Sequence, residues 1–142
     1  MKRLLVLGAG TAGTMAVNKL RPHLPADAWV ITVVDSSPDH HYQPGYLFIP
    51  FGTYEPDEVV KPKARLLADG IELVMGEVDI VKPEESVVVL ADGAELAYDQ
   101  LIIATGTTPR RDQTEGLDSE HYGETVHDFY TLEGAERLAE VL

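Results

Sequence analysis

The fold of this chain is decided by the stretch Leu4-Leu5-Val6-Leu7-Gly8-Ala9-Gly10-Thr11-Ala12-Gly13. Apolar strand-forming residues lead directly into Gly-x-Gly-x-x-Gly, and the pattern predicts a helix from Thr11 to Leu20. Gly8 permits the tight turn, Gly10 lets a pyrophosphate approach the backbone, and Gly13 lets the helix pack close to the strand. The free N–H groups at the helix start, including those of Thr11 and Ala12, are predicted to bind phosphate together with the positive end of the helix dipole.

A second apolar strand ends in an acidic residue. The run from Trp29 to Val34 is followed by Asp35, twenty-two positions after Gly13, with Ser36 beside it. A carboxylate at this place is suited to accept hydrogen bonds from an adenosine ribose. Strand, glycine loop, helix, strand and acid together predict a dinucleotide site. The alternative is an ordinary tight turn followed by an acid in solvent.

Composition narrows the function classes. The 142 residues suffice for one domain, and the net charge of -13 argues against binding to nucleic acid or anionic lipid. With no cysteine, the chain has no disulfide, no thiolate nucleophile and no cysteine-based metal site. None of the five histidines stands at metal-ligand spacing, so we predict no metal site. We expect a cytoplasmic location.

The remaining sequence predicts a mixed sheet. Strands are expected near residues 3–8, 29–35, 71–75 and 101–105, with a small antiparallel meander near 77–97 that turns at Asp92-Gly93. The last of the four, Leu101 to Ala104, is apolar throughout and suits a strand buried on both faces. Between Asp35 and the third strand lie an aromatic loop without clear periodicity and, from Glu55 to Asp69, one or two short helices. A final helix begins at Thr131 as N-cap.

This order of elements resembles the FAD-binding domain of the pyridine nucleotide-disulfide reductase superfamily. The resemblance rests on the glycine loop, on Asp35, and on Tyr98-Asp99-Gln100-Leu101-Ile102-Ile103-Ala104-Thr105-Gly106-Thr107-Thr108-Pro109 after the meander. It implies an α/β fold, namely a Rossmann-like FAD-binding domain with a mostly parallel sheet and an inserted antiparallel β-meander. The segments 41–52 and 127–137 look most like the sulfide:quinone oxidoreductases. Two departures are Val17, where the family prefers Gly or Ala, and Phe129-Tyr130, where many members have a redox cysteine.

The resemblance also implies site residues and partners. FAD is the expected cofactor, with Pro44 and Gly45 beside the isoalloxazine, the backbone at Val78 near the adenine, and Ala104, Thr105 and Gly106 close to the cofactor. Quinone is the favoured electron acceptor and sulfide the favoured small-molecule donor. No residue of this chain is predicted to be a general base or nucleophile, so the flavin carries the chemistry.

Residues 1–142 are expected to be an N-terminal FAD-binding domain that stops before a second dinucleotide-binding domain. Alone it should hold FAD weakly, and any peripheral membrane contact is expected only through that missing part. A homo-oligomer remains open. Two alternatives also remain open: a type II NADH:quinone oxidoreductase or ferredoxin reductase relative, and a non-catalytic nucleotide-binding module.

Overall fold

The chain forms two compact units, each assembled from two stretches of sequence. A computed structural model describes residues 1–117 and 119–142. The first unit comprises Met1–His40 and Pro62–Gly106, and the second comprises His41–Lys61 and Thr107–Leu142. In chain order the strands and α-helices are β1 (Lys2–Leu7), α1 (Thr11–Leu20), β2 (Trp29–Asp35), β3 (Asp39–His41), β4 (Val60–Pro62), β5 (Ile71–Met75), β6 (Val78–Lys82), β7 (Val87–Leu90), β8 (Glu95–Ala97), β9 (Gln100–Ile103) and α2 (Leu132–Val141).

A four-stranded parallel sheet in the order β5-β2-β1-β9 is the centre of the first unit. Its strands confirm the four predicted ones, and α1 has the predicted bounds and is followed by a 3-10 turn over Arg21–His23. The expectation that the last strand is buried on both faces was wrong. Within the described residues β9 pairs with β1 alone and forms an edge of the sheet, so Ile103 is 65% exposed.

The two faces of the sheet are covered by different elements. Alternate residues of β1 point to opposite faces, because side chains alternate along a strand. Leu4 and Val6 pack with Val17 of α1, whereas Leu5 and Leu7 pack with Val88 of the meander. The first unit therefore has three layers, with helix, sheet and meander in that order.

The antiparallel meander was predicted correctly. Strands β6, β7 and β8 form it, and a tight turn joins β7 to β8. Gly93 adopts φ +88°, and the Asp92 carboxylate accepts a hydrogen bond from the N–H of Ala94 at 2.9 Å. An Asp-Gly pair forms this turn readily, because glycine has no Cβ to oppose a positive φ.

The second unit has its own small core, in which Tyr46, Ile49 and Val59 pack against Ala135 of α2. The aromatic loop supplies Tyr46 from a 3-10 helix over Gln43–Phe48. Helix α2 begins as predicted, because Thr131 Oγ1 accepts a hydrogen bond from the N–H of Gly134 at 3.0 Å.

The segment from Glu55 to Asp69 contains two 3-10 turns, Pro56–Glu58 and Lys63–Arg65, as the prediction of short helices requires. The short strand β4 between them was not predicted. Among the helices of the described residues, none has the length and apolar character needed to cross a bilayer.

Candidate nucleotide-binding site

The glycine loop connects β1 to α1 by a turn that tolerates no side chain at two positions. Gly8 adopts φ +96°, and its N–H donates to the carbonyl oxygen of Val34 at 2.8 Å. A Cβ at Gly8 would overlap the carbonyl of Ala104, and a Cβ at Gly13 would overlap the carbonyl of Gly8. These two glycines are therefore required by the packing of helix, loop and sheet.

Gly10 differs from the other two glycines of the motif. No atom lies within 4 Å of the place where its Cβ would be, and its φ of -72° suits any residue. Within the described part of the chain no side chain caps α1, and its first turn carries no acidic residue. The first N–H groups of the helix have no partner within the helix itself. Open space beside free amides is the arrangement that a phosphate group fits.

Asp35 is held by three donors at the end of β2. Its Oδ2 accepts a hydrogen bond from the N–H of Ala9 at 2.7 Å, and its Oδ1 accepts one from the N–H of Ser37 at 2.9 Å. The Nζ of Lys63 lies 2.6 Å from the same Oδ1, and only 6% of the Lys63 side chain and 14% of the Asp35 side chain are exposed. Asp35 is therefore not an acid in open solvent.

The ionised form of Asp35 is favoured by these contacts. Burial raises the pKa of the carboxyl group, but the hydrogen bonds from Lys63, Ser37 and Ala9, together with the charge of Lys63, outweigh burial and hold the pKa below its usual range. The site therefore presents a carboxylate at neutral pH.

Sequence reasoning did not identify Lys63. The residue follows Asp35 by 28 positions in a segment that also contains Lys61 and Arg65, and no spacing rule separates these three cations. Only the path of the chain brings Lys63 to the carboxylate.

A cleft of about 210 Å³ joins several of the predicted residues at the carboxyl ends of the parallel strands. This edge of an open α/β sheet is where ligands of such folds bind. The lining residues are Gly8, Val34, Asp35, Ser36, Gly76, Glu77, Val78 and Thr105. Ala104 continues the ladder from β9 by donating its N–H to the carbonyl of Leu7 at 2.7 Å, and Gly106 turns with φ +77°.

Pro44 and Gly45 belong to the second unit, so their predicted place beside a flavin ring stays a prediction. Gly45 is buried, and a Cβ there would lie 2.5 Å from Cγ1 of Val59. Close packing against Val59, the residue before β4, is therefore enough to explain why a glycine stands at this position, and no ligand is needed to explain it.

A larger cavity of about 420 Å³ lies in the second unit, where Tyr122, Tyr130 and His127 contribute to its wall. Its described lining includes none of the residues predicted to bind the cofactor. Among the described residues no cluster of histidine and acidic side chains is arranged to hold a metal ion.

Comparison with known proteins identifies similar chains among the oxidoreductases. Sulfide:quinone oxidoreductase from Dictyostelium discoideum mitochondria is 26% identical over 140 residues, which cover 99% of this chain and 31% of that protein. Type II NADH:quinone oxidoreductase from Staphylococcus epidermidis is 31% identical over 119 residues, covering 82% of this chain and 28% of that protein. This chain thus spans about a third of the length of these relatives.

The fold is also shared with a solved structure, that of the sulfide:quinone oxidoreductase from Aquifex aeolicus. The TM-score is 0.79 at 22% identity, over 99% of this chain and 31% of that one. The model of the pyridine nucleotide-disulphide oxidoreductase family matches residues 2–141, nearly the whole chain. The Rossmann-like fold class predicted from the glycine loop and the meander is confirmed, and the chain belongs to the pyridine nucleotide-disulphide oxidoreductase family.

Proposed function

We propose that this chain is the FAD-binding domain of a flavin-dependent oxidoreductase that passes electrons from sulfide through FAD to quinone. One observation carries the FAD assignment. The N–H of Ala9, within the glycine loop, donates to Oδ2 of Asp35 at 2.7 Å. The glycine loop proposed to bind phosphate and the carboxylate proposed to bind ribose are thus in direct contact, as the binding of one adenosine diphosphate group to both would require.

Each part of the site has a role in holding the cofactor. The amides at the start of α1, from Thr11 to Gly13, would bind the pyrophosphate, with Gly10 leaving room for it. Asp35 would accept a ribose hydroxyl, and the backbone at Glu77 and Val78 would meet the adenine in the same cleft. FAD itself would supply the redox chemistry, by taking electrons from a donor and passing them to an acceptor.

The contacts of Asp35 limit how the ribose binds. A carboxylate offers about four acceptor positions, two on each oxygen. Oδ1 already accepts from Ser37 and Lys63, whereas among the described residues Oδ2 accepts only from Ala9. One position on Oδ2 therefore remains, and it suits a single ribose hydroxyl.

We expect Asp35→Ala to weaken FAD binding by about 1–3 kcal/mol, the usual worth of a hydrogen bond to a charged group. FMN lacks the adenosine ribose, so its affinity should not change. Isothermal titration calorimetry with both flavins checks this, and Asp79→Ala on the exposed face of β6 is the matched control. Equal losses for FAD and FMN would remove the ribose assignment.

Sulfide and quinone are proposed from the relatives named as sulfide:quinone oxidoreductases. A second candidate, an NADH:quinone oxidoreductase, has support from the relative that is 31% identical and from the absence of cysteine in this chain. The third, a nucleotide-binding module without catalysis, would bind adenine nucleotides but carry no flavin.

Reduction of the bound flavin separates these candidates. In the protein that carries this chain, kept free of oxygen, we expect sulfide to bleach the visible flavin absorbance faster than NADH does. Sulfide oxidation needs a thiolate or persulfide to hold sulfur, and this chain has no cysteine, so the cysteines must lie elsewhere in that protein.

Substituting those cysteines should stop bleaching by sulfide while FAD stays bound. Much faster bleaching by NADH would replace the sulfide proposal with the NADH:quinone one. A protein purified without flavin that binds only adenine nucleotides would favour the non-catalytic module.

A further inference from the structure

Lys63 is a buried lysine whose ammonium group contacts two oxygen atoms of the first unit. The residue is 5% exposed, and its N–H donates to the carbonyl of Pro38 at 2.8 Å. Its Nζ donates to Ser37 O at 2.8 Å and pairs with Asp35 Oδ1 at 2.6 Å. Lysines are seldom buried unless paired, because removing an ammonium group from water is costly.

This lysine determines which oxygen of Asp35 is left for a ligand. Lys63 and the amide of Ser37 together occupy Oδ1, on the side of the turn after β2. Oδ2 is thereby directed to the N–H of Ala9 in the glycine loop. Three fixed donors around one carboxylate leave its side chain little freedom to rotate.

We propose that Lys63 is a positioning residue for the adenosine ribose: by holding Oδ1 of Asp35, it presents Oδ2 beside the glycine loop as an acceptor for one ribose hydroxyl. This inference rests on the proposed FAD site. Lys63 itself does not need to touch the ligand, since it acts through the carboxylate.

The ionisable groups around Asp35 determine how the site responds to pH. Besides Lys63, His40 approaches the loop with Nδ1 3.5 Å from the carbonyl oxygen of Ala9, and Glu77 lines the cleft. Lys63 alone of these three is paired with Asp35 in the described structure. Removing its charge takes away two of the four contributions that lower the pKa of Asp35 and leaves the hydrogen bonds from Ser37 and Ala9, so the pKa of the carboxyl group should rise toward its usual range.

The test is the FAD affinity of Lys63→Met, measured by calorimetry at about pH 8 and about pH 4.5, because the lower value approaches the ordinary aspartate pKa of about 3.9. At the higher pH we expect the Kd for FAD to rise about tenfold, which corresponds to losing the hydrogen bond between Asp35 and the ribose hydroxyl. At the lower pH we expect a larger rise. Lys61→Met, two positions away on exposed β4, is the matched control and should follow the unaltered chain at both values. FMN affinity should respond to neither substitution.

A double substitution separates positioning from a general structural effect. Asp35→Asn removes the charge that Lys63 pairs with, so adding Lys63→Met to it should cost no further affinity and should leave no unpaired buried charge. If Lys63→Met alone does not fold, the FAD affinity of Asp35→Asn is compared with that of the double variant. Equal affinities support the proposal, and a weaker affinity of the double variant contradicts it.

The proposal is overturned if Lys63→Met matches Lys61→Met at both pH values, or if it costs the same affinity with and without Asp35→Asn. Failure of the FAD site itself looks different. In that case Asp35→Asn would leave FAD affinity unchanged, whatever residue stands at position 63.

Discussion

Gly10→Val is expected to abolish FAD binding while the chain still folds. No atom lies within 4 Å of the place where a Cβ would stand, so the first carbon of the new side chain meets no obstacle there. It would instead fill the space in front of the α1 amides. Losing two or more amide contacts to phosphate should raise Kd at least about a hundredfold, or about 3 kcal/mol. Calorimetry with FAD and with ADP measures the loss.

Circular dichroism and urea unfolding provide the control for this variant. Valine is a poorer N-cap than glycine, so we expect the free energy of unfolding to fall by about 1 kcal/mol while the chain remains folded. A folded Gly10→Val variant that keeps the affinity of the unaltered chain would place the phosphate site elsewhere.

Gly13→Ala is expected to lower the stability of the fold, whereas Gly10→Val lowers the affinity for FAD. The loss of stability should be the same with and without ligand. The added Cβ would overlap the carbonyl oxygen of Gly8, and that carbonyl belongs to the turn between β1 and α1. Helix and turn must move apart, which costs about 3 kcal/mol for overpacking against backbone. Alanine favours a helix over glycine by about 1 kcal/mol, so the net loss should be about 2 kcal/mol. Urea unfolding without ligand measures it.

Gly10→Ala is the matched comparison within the same motif. It should cost no more than about 1 kcal/mol of stability, since only the N-cap changes, yet it should weaken FAD binding. A Gly13→Ala variant as stable as the unaltered chain would mean that α1 can shift freely, against the close packing of Gly13 on Gly8.

Several elements could be predicted because local sequence specifies them. The strands of the parallel sheet are apolar runs bounded by turn residues, and Asp92-Gly93 is a hairpin signal that needs no distant partner. Thr131 caps α2 through a hydrogen bond three residues away. In each case the deciding interactions lie within a few positions of one another.

Other features depend on contacts between distant segments. The apolar run ending at Ile103 indicated a strand buried on both faces, yet its position at the edge of the sheet leaves Ile103 exposed. An apolar sequence indicates that a strand is able to be buried on both faces. Whether it is buried depends on its place in the strand order of the sheet. The short strand β4 was missed because three residues have no detectable periodicity.

The candidate site shows the same division. The sequence by itself was enough to propose Gly8, Gly10, Gly13 and Asp35 as site residues, because a strand, a tight turn and a helix of standard dimensions determine their spacing. Only the tertiary structure decided that Lys63 pairs with Asp35 and leaves one acceptor position on Oδ2. The physical reason is that this ion pair depends on the path of the chain across 28 residues, and no local preference determines that path.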